Sequence, residues 1–229
     1  VFIVRQKFSL KEQETCENIL KSKKNDDGYV RIGYLSGTYS HNKDFATIAQ
    51  ALANILEKYP SVKLVLAGPL DTDDSLNKYS DRIEALPRVP RKKYWSNVYK
   101  LDINLAPLEI GNPFCESKSE IKFIEAGIFG IPTVAVRNQT FSEAIEDGVD
   151  GLLADNQNEW EEKIGELVRS GNLRKTIGEV ETPLRGFYYG GGADAAFSCG
   201  KYGMASKMMD AVGAKNILSD IEDDWIPKA

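Results

Sequence analysis

Two stretches carry residues that could do chemistry. The first, SGTYSHNKDF over residues 36–45, places Ser36, Gly37 and Thr38 in a small glycine-centred turn and then His41 and Lys43 just ahead of an apolar helical pattern. Such a turn lets backbone N–H groups approach a ligand, and a helix amino end beside a lysine attracts an anion through unpaired N–H groups, the macrodipole and a full charge. The expected ligand is a phosphate. The second stretch, NPFCESKSEIKFIEAGIFG over 112–130, reads as a loop followed by a helix from about Ser119 to Phe129. At helical spacing Lys118, Lys122 and Glu125 lie near one face, and Ile121, Ile124 and Ile128 turn toward a core. Ser117, Lys118, Ser119 and Glu120 would present N–H groups, Lys118 and Lys122 would offset phosphate charge, and Glu125 would accept hydrogen bonds from a sugar's hydroxyl pair. Together the two stretches suit a sugar nucleotide.

Each stretch also has a plainer reading. The first fits an ordinary turn with Asn42 or Asp44 as helix cap and a solvated lysine. The second fits a surface lattice of Lys118, Lys122, Glu120 and Glu125, which any exposed helix can carry. Asp71 and Asp73 in DTDD read as a polar turn, and the cysteines Cys16, Cys115 and Cys199 form neither a CxxC pair nor part of a histidine cluster. Neither a metal site nor a structural disulfide is expected. The Gly-rich, aromatic run GFYYGGGADAAFSCGKYG neither follows a strand nor opens a helix, as a phosphate loop would, and reads as an irregular loop.

The elements that must position these residues alternate from Tyr29 onward. YVRIGYLSG, VKLVLAG, DINLAP, PTVAV and DGLLAD read as strands; DFATIAQALANILEKY, VPRKKYWSNVYKL, the 119–129 segment, FSEAIEDG and EWEEKIGELVRSG read as helices, and DRIEAL belongs to a polar connection. Strands that are nearly continuous in apolar residues and joined by crossover helices predict an α/β fold, a Rossmann-like parallel sheet with helices on both faces. In such a sheet ligands bind at the carboxyl ends of the strands, which adds Gly68, closing LVLAG, to the rim. The expected organisation is a connector or linker over 1–28, the Rossmann-like domain over 29–177 and a partly helical extension over 178–229.

Composition narrows the classes. The chain has 229 residues, 42% hydrophobic, and a formal net charge of -5, which argues against wrapping nucleic acid. No apolar run approaches the ~20 residues that span a bilayer, and the opening VFIVRQKFSLKEQ becomes charged too soon for a signal peptide. A cytoplasmic location is expected. The absence of an initiator Met and the thin apolar content of residues 1–30 suggest a fragment of a longer chain.

RIGYLSGTYSHNKDFATIAQAL, LVLAGPL, DINLAPLEIGNPFCESKSEIKFIEAGIFGIPTVAV and FSEAIEDGVDGLLAD together resemble, over about residues 29–175, the C-terminal, donor-binding half of retaining GT-B glycosyltransferases of the group 1, glycogen-synthase-like family, the bacterial polysaccharide type. The resemblance implies a diphosphate held by a basic pair mapping to His41 and Lys43, a ribose-binding carboxylate at Glu125, and transfer with retention from a nucleoside-diphosphate sugar to a glycan or lipid-linked acceptor. Ser117 stands where the family's usual Glu contacts the transferred sugar. Lys43 and Lys118 are then the expected catalytic pair, with Ser36, Gly37, Thr38, His41, Gly68, Ser117, Ser119, Glu120, Lys122 and Glu125 binding substrate and no cofactor or metal required. The acceptor would be bound by an N-terminal domain absent from this chain, and the full-length enzyme could associate peripherally with a membrane. A sugar-nucleotide epimerase built on the same diphosphate cradle, and a non-catalytic assembly module, are the alternatives these residues leave open.

Overall fold

Five apolar runs and one mixed run, IEAL, become the strands of a single sheet. The computed structural model describes residues 9–24, 26–37, 41–68, 70–72 and 74–181. The strands are β1 (Val30–Leu35), β2 (Val62–Ala67), β3 (Ile83–Leu86), β4 (Ile103–Ala106), β5 (Thr133–Val136) and β6 (Leu152–Ala154), in the order β3-β2-β1-β4-β5-β6 with every pairing parallel. The order runs one way from β1 through β3 and the other way from β4 through β6. Right-handed crossovers must therefore put the intervening helices on opposite faces.

The helices are α1 (Leu10–Leu20), α2 (Asn42–Ala46), α3 (Ala49–Lys58), α4 (Arg91–Tyr99), α5 (Pro113–Glu116), α6 (Ile121–Gly127), α7 (Gln139–Ala144), α8 (Gln157–Arg169) and α9 (Gly171–Glu181). Contacts follow the expected division: α3 meets α8, which carries α9, while α4 meets α6 and α1. Local chemistry sets several of the starts. Asn112 accepts the Phe114 N–H at 3.0 Å with Pro113 in the first turn of α5, Asn138 accepts the Phe141 N–H at 3.0 Å ahead of α7, and Ser9 with Glu12 forms a capping box on α1.

The core has Trp95, Tyr34, Phe45, Phe123 and Phe141 among its largest fully buried side chains, packed on Ile32, Leu64, Ile103, Leu105 and Val134 of the sheet. Two glycines are fixed by close approach. A Cβ at Gly68, whose φ is +90°, would collide with the Ser36 carbonyl oxygen, and one at Gly178 would strike the backbone of Gly130.

The structure departs from the sequence reading in three places. DFATIAQALANILEKY is two helices, not one: the Thr47 hydroxyl donates to the Asp44 carbonyl at 2.6 Å, and Gln157 of α8 donates to the Thr47 carbonyl and accepts the Ala51 N–H at 3.0 Å, so the break is made by a tertiary contact. IEAL is a strand, preceded by a 3-10 stretch at Asp74–Arg82. The boundary expected at 177 falls inside α9, where Gly178 is helical and docked on Gly130. Residues 1–8 and 182–229, and with them the Gly-rich run, lie outside the described residues.

Candidate functional site

The order of the sheet reverses between β1 and β4, and the crevice at a switch point of this kind is where open α/β sheets bind ligands. β1 delivers Ser36 and then, beyond the turn, His41 and α2; β4 delivers Pro107, Leu108 and the loop that carries α5, Lys118 and the start of α6. Both candidate stretches therefore arrive at one place. Asn104 of β4 pins the second stretch from below, its Nδ2 donating to the Lys122 carbonyl and to Thr133 Oγ1 of β5, each at 3.0 Å.

A cleft of about 310 Å³ opens there, lined by His41, Ala106, Pro107, Leu108, Phe114, Lys118, Ser119, Ile121, Lys122 and Phe141. His41, Lys118, Ser119 and Lys122 are thus brought together. A larger cavity of about 750 Å³ lies between α1 and α4, lined among others by Arg31 and Glu84 near the amino ends of β1 and β3. Two of its cations are already matched, Arg31 by Asp27 at 2.7 Å and Glu84 at 3.2 Å and Lys24 by Asp102 at 3.0 Å, and it is remote from the switch point. The smaller cleft is the better candidate on both counts.

Beneath His41 and Lys118 sits a residue that the sequence reading treated only as a helix cap. Asp44 is 1% exposed, and its carboxylate accepts from His41 Nδ1 at 3.0 Å, Lys118 Nζ at 2.6 Å, Cys115 Sγ at 3.2 Å and the Glu109 N–H at 3.1 Å. Burial alone would raise its pKa, but the bonds from His41, Lys118, Cys115 and the Glu109 N–H outweigh it and hold the carboxyl well below the usual carboxylate range. The Cys115 thiol moves the other way, pushed up by burial and then by Asp44.

Lys122 reaches back toward the sheet. Its Nζ donates to the Leu35 carbonyl and lies 4.7 Å from the centre of the Tyr34 ring, which in turn stacks on Phe45 at 5.5 Å. Burial pulls the lysine down to about 8, with Glu125 and Asp44 acting in the opposite sense.

The remaining expected residues are distributed as follows. Lys43 is exposed on α2 and does not line the cleft, so the expected pair Lys43–Lys118 is not assembled: burying Asp44 turns its neighbour, about 100° around the helix, outward. Ser36 is buried, its N–H donating to the Ala67 carbonyl at 2.8 Å; Gly37 is exposed; Thr38 lies outside the described residues. Ser117 is exposed and donates to the Phe114 carbonyl at 2.8 Å, and Glu120 is buried at the cap of α6. The helix expected from Ser119 begins only at Ile121.

Glu125 is buried one turn into α6 and does not line the cleft; its carboxylate takes the Arg91 guanidinium and, at 2.5 Å, the Tyr94 hydroxyl, both from the first turn of α4. Arg91 also meets Glu12 of α1 at 3.0 Å and lies 4.3 Å from the Trp95 ring centre. Neither Arg91 nor Tyr94 was singled out from sequence. The signal available was a charged and aromatic first turn following a proline.

Among the described residues no cluster of three or more His, Cys, Asp or Glu is placed to hold a metal, and no helix is long and apolar enough to cross a membrane.

Residues 30–170 match the family model described as "Glycosyl transferases group 1". No curated relative matches the chain. Solved structures share its fold. TarM of S. aureus, in a complex that includes UDP, superposes with a TM-score of 0.58 at 16% identity over 84% of this chain and 36% of that one. HepE of Anabaena, with UDP and glucose, gives 0.56 at 14% over 81% of this chain and 48% of that one. The C-terminal domain of LpcC, a group 1 family glycosyl transferase from Francisella tularensis, gives 0.53 at 18% over 79% of this chain and 94% of that domain. The chain thus spans about a third to a half of the TarM and HepE chains and nearly all of the LpcC domain.

Proposed function

Because the chain belongs to the group 1 glycosyl transferases, we propose that it is the donor-binding half of such an enzyme, holding a nucleoside-diphosphate sugar whose glycosyl group passes, with retention, to a glycan or lipid-linked acceptor. The observation that carries this reading is the convergence of His41, Lys118 and Lys122 on one cleft at the switch point of the sheet. Three donors there can meet the oxygens of a diphosphate, and positive charge fixed in place before reaction favours charge that grows on the leaving group as the glycosidic bond breaks. The reading needs no metal or cofactor, since side chains supply the counter-charge.

The cleft also has apolar walls. Phe114, Ile121 and Phe141 would flank the sugar end of the donor, where Ser117 stands in place of a carboxylate. Glu125 lies outside the cleft and would serve the ribose only beyond its rim, through a lone pair that Arg91 and Tyr94 leave open, a carboxylate having about four acceptor sites. Lys43 takes no part in this scheme. Transfer would also need an acceptor site, and residues 1–229 are assigned the donor's share of the reaction.

Calorimetric titration with UDP, GDP and dTDP tests the reading. Binding of at least one nucleotide is expected; affinity for none of the three, with the fold intact by circular dichroism, would leave the assembly-module alternative standing instead.

A further inference from the structure

Asp44 has a place that the nucleotide-binding reading does not require. Its carboxylate accepts from four segments at once: His41 at the cap of α2, Cys115 in α5, Lys118 beyond α5, and the Glu109 N–H in the loop leaving β4. The two loops that bound the cleft thus meet at the Asp44 carboxylate, and one oxygen, Oδ2, takes both His41 Nδ1 and Lys118 Nζ. We propose that Asp44 is a positioning residue that sets the geometry of Lys118 and His41 for the diphosphate before the donor arrives. The proposal rests on the donor-binding reading above.

Charge and geometry make opposite demands here, which is what renders the idea testable. A carboxylate close to a dianion's site lowers the local positive potential, so on charge alone its removal should tighten binding. The ordering it imposes works the other way. A lysine has three N–H donors on a flexible stem, and committing one to Asp44 leaves the other two aimed into the cleft without further loss of rotamer freedom on binding. His41 gains similarly: with Nδ1–H donating to the carboxylate, the ring orientation is fixed and Nε2 is the atom left for the cleft.

The experiment is UDP titration of the full chain and its Asp44→Asn variant, together with nitrogen-15 NMR of the imidazole, which is unambiguous because His41 is the sole histidine in the chain. Asp44→Asn is expected to weaken UDP binding at least tenfold although it adds a unit of positive charge. In the wild type with the ring neutral, the proton is expected on Nδ1; in the variant it should redistribute toward Nε2. UDP binding by Asp44→Asn that is unchanged or tighter would overturn the proposal while leaving the donor-binding reading intact, whereas a wild type that binds no nucleotide would remove both. Should Asp44→Asn fail to fold, the wild-type spectrum still decides, since a neutral His41 protonated on Nε2 contradicts the arrangement, and Lys118→Met, which keeps Asp44 and its other partners, is expected to preserve the Nδ1–H form.

Discussion

Arg91 and Glu125 form an ion pair between the amino end of α4 and the middle of α6, with the Tyr94 hydroxyl on the second carboxylate oxygen. Glu125 is the buried partner, its side chain 6% exposed against 47% for Arg91. Removing Arg91 would therefore strand a carboxylate that water reaches poorly. Arg91→Ala is expected to destabilise the fold by about 1–3 kcal/mol, the upper end discounted because the guanidinium is well exposed. In a thermal melt this is a loss of about 2–4 °C per kcal/mol. If Glu125 serves the ribose, the same variant should lose affinity for UDP and keep its affinity for inorganic pyrophosphate, which calorimetry would separate.

Lys122 gives the pH dependence. Its folded value, about 8, lies below the unfolded lysine value of about 10.4, so between the two the unfolded chain holds the extra proton. The charged, half-buried lysine therefore costs stability below about pH 8, and stability should rise as pH climbs from about 8 toward 10. Binding runs opposite. A diphosphate favours the charged form, so UDP affinity should fall above about pH 8 and binding there should take up protons, read as a dependence of calorimetric enthalpy on buffer ionisation heat. Lys122→Met should flatten both profiles and weaken UDP binding at least tenfold. An unchanged stability profile in the variant would contradict the assignment.

Gly178 tests how α9 is docked. Replacing an exposed helical glycine with alanine ordinarily stabilises by up to about 1 kcal/mol. Here the added methyl would strike the Gly130 carbonyl, so Gly178→Ala is expected to destabilise by about 1–3 kcal/mol in a denaturant melt. Stabilisation by this substitution would mean that α9 does not pack on the turn after α6.

The fold was legible because parallel strands buried on both faces leave continuous apolar runs, and five of the six strands stand out that way. β3 did not. It is an edge strand with no buried position, Ala85 being exposed and Glu84 paired with Arg31 of β1, so its composition resembles a polar connection. The break between α2 and α3 was hidden for a different reason, since apolar spacing continues through Thr47 and Ile48 while the interruption is imposed by Gln157 from α8. At the site, Lys118, Lys122 and His41 were readable from residue type and from where parallel strands end. Asp44 was not, because its defining partners Glu109, Cys115 and Lys118 are 65 to 74 residues away and nothing local distinguishes it from a cap. Lys43 lies outside the cleft for the same reason, as a chain that buries Asp44 turns the adjacent side chain away.

The most direct test of the account is a crystal structure of this chain grown with UDP. The diphosphate is expected between Lys118 and Lys122, its oxygens within about 3 Å of both ammonium groups and of the outward nitrogen of His41. A diphosphate bound elsewhere, such as the cavity between α1 and α4, with the cleft at the β1–β4 switch point empty, would contradict it.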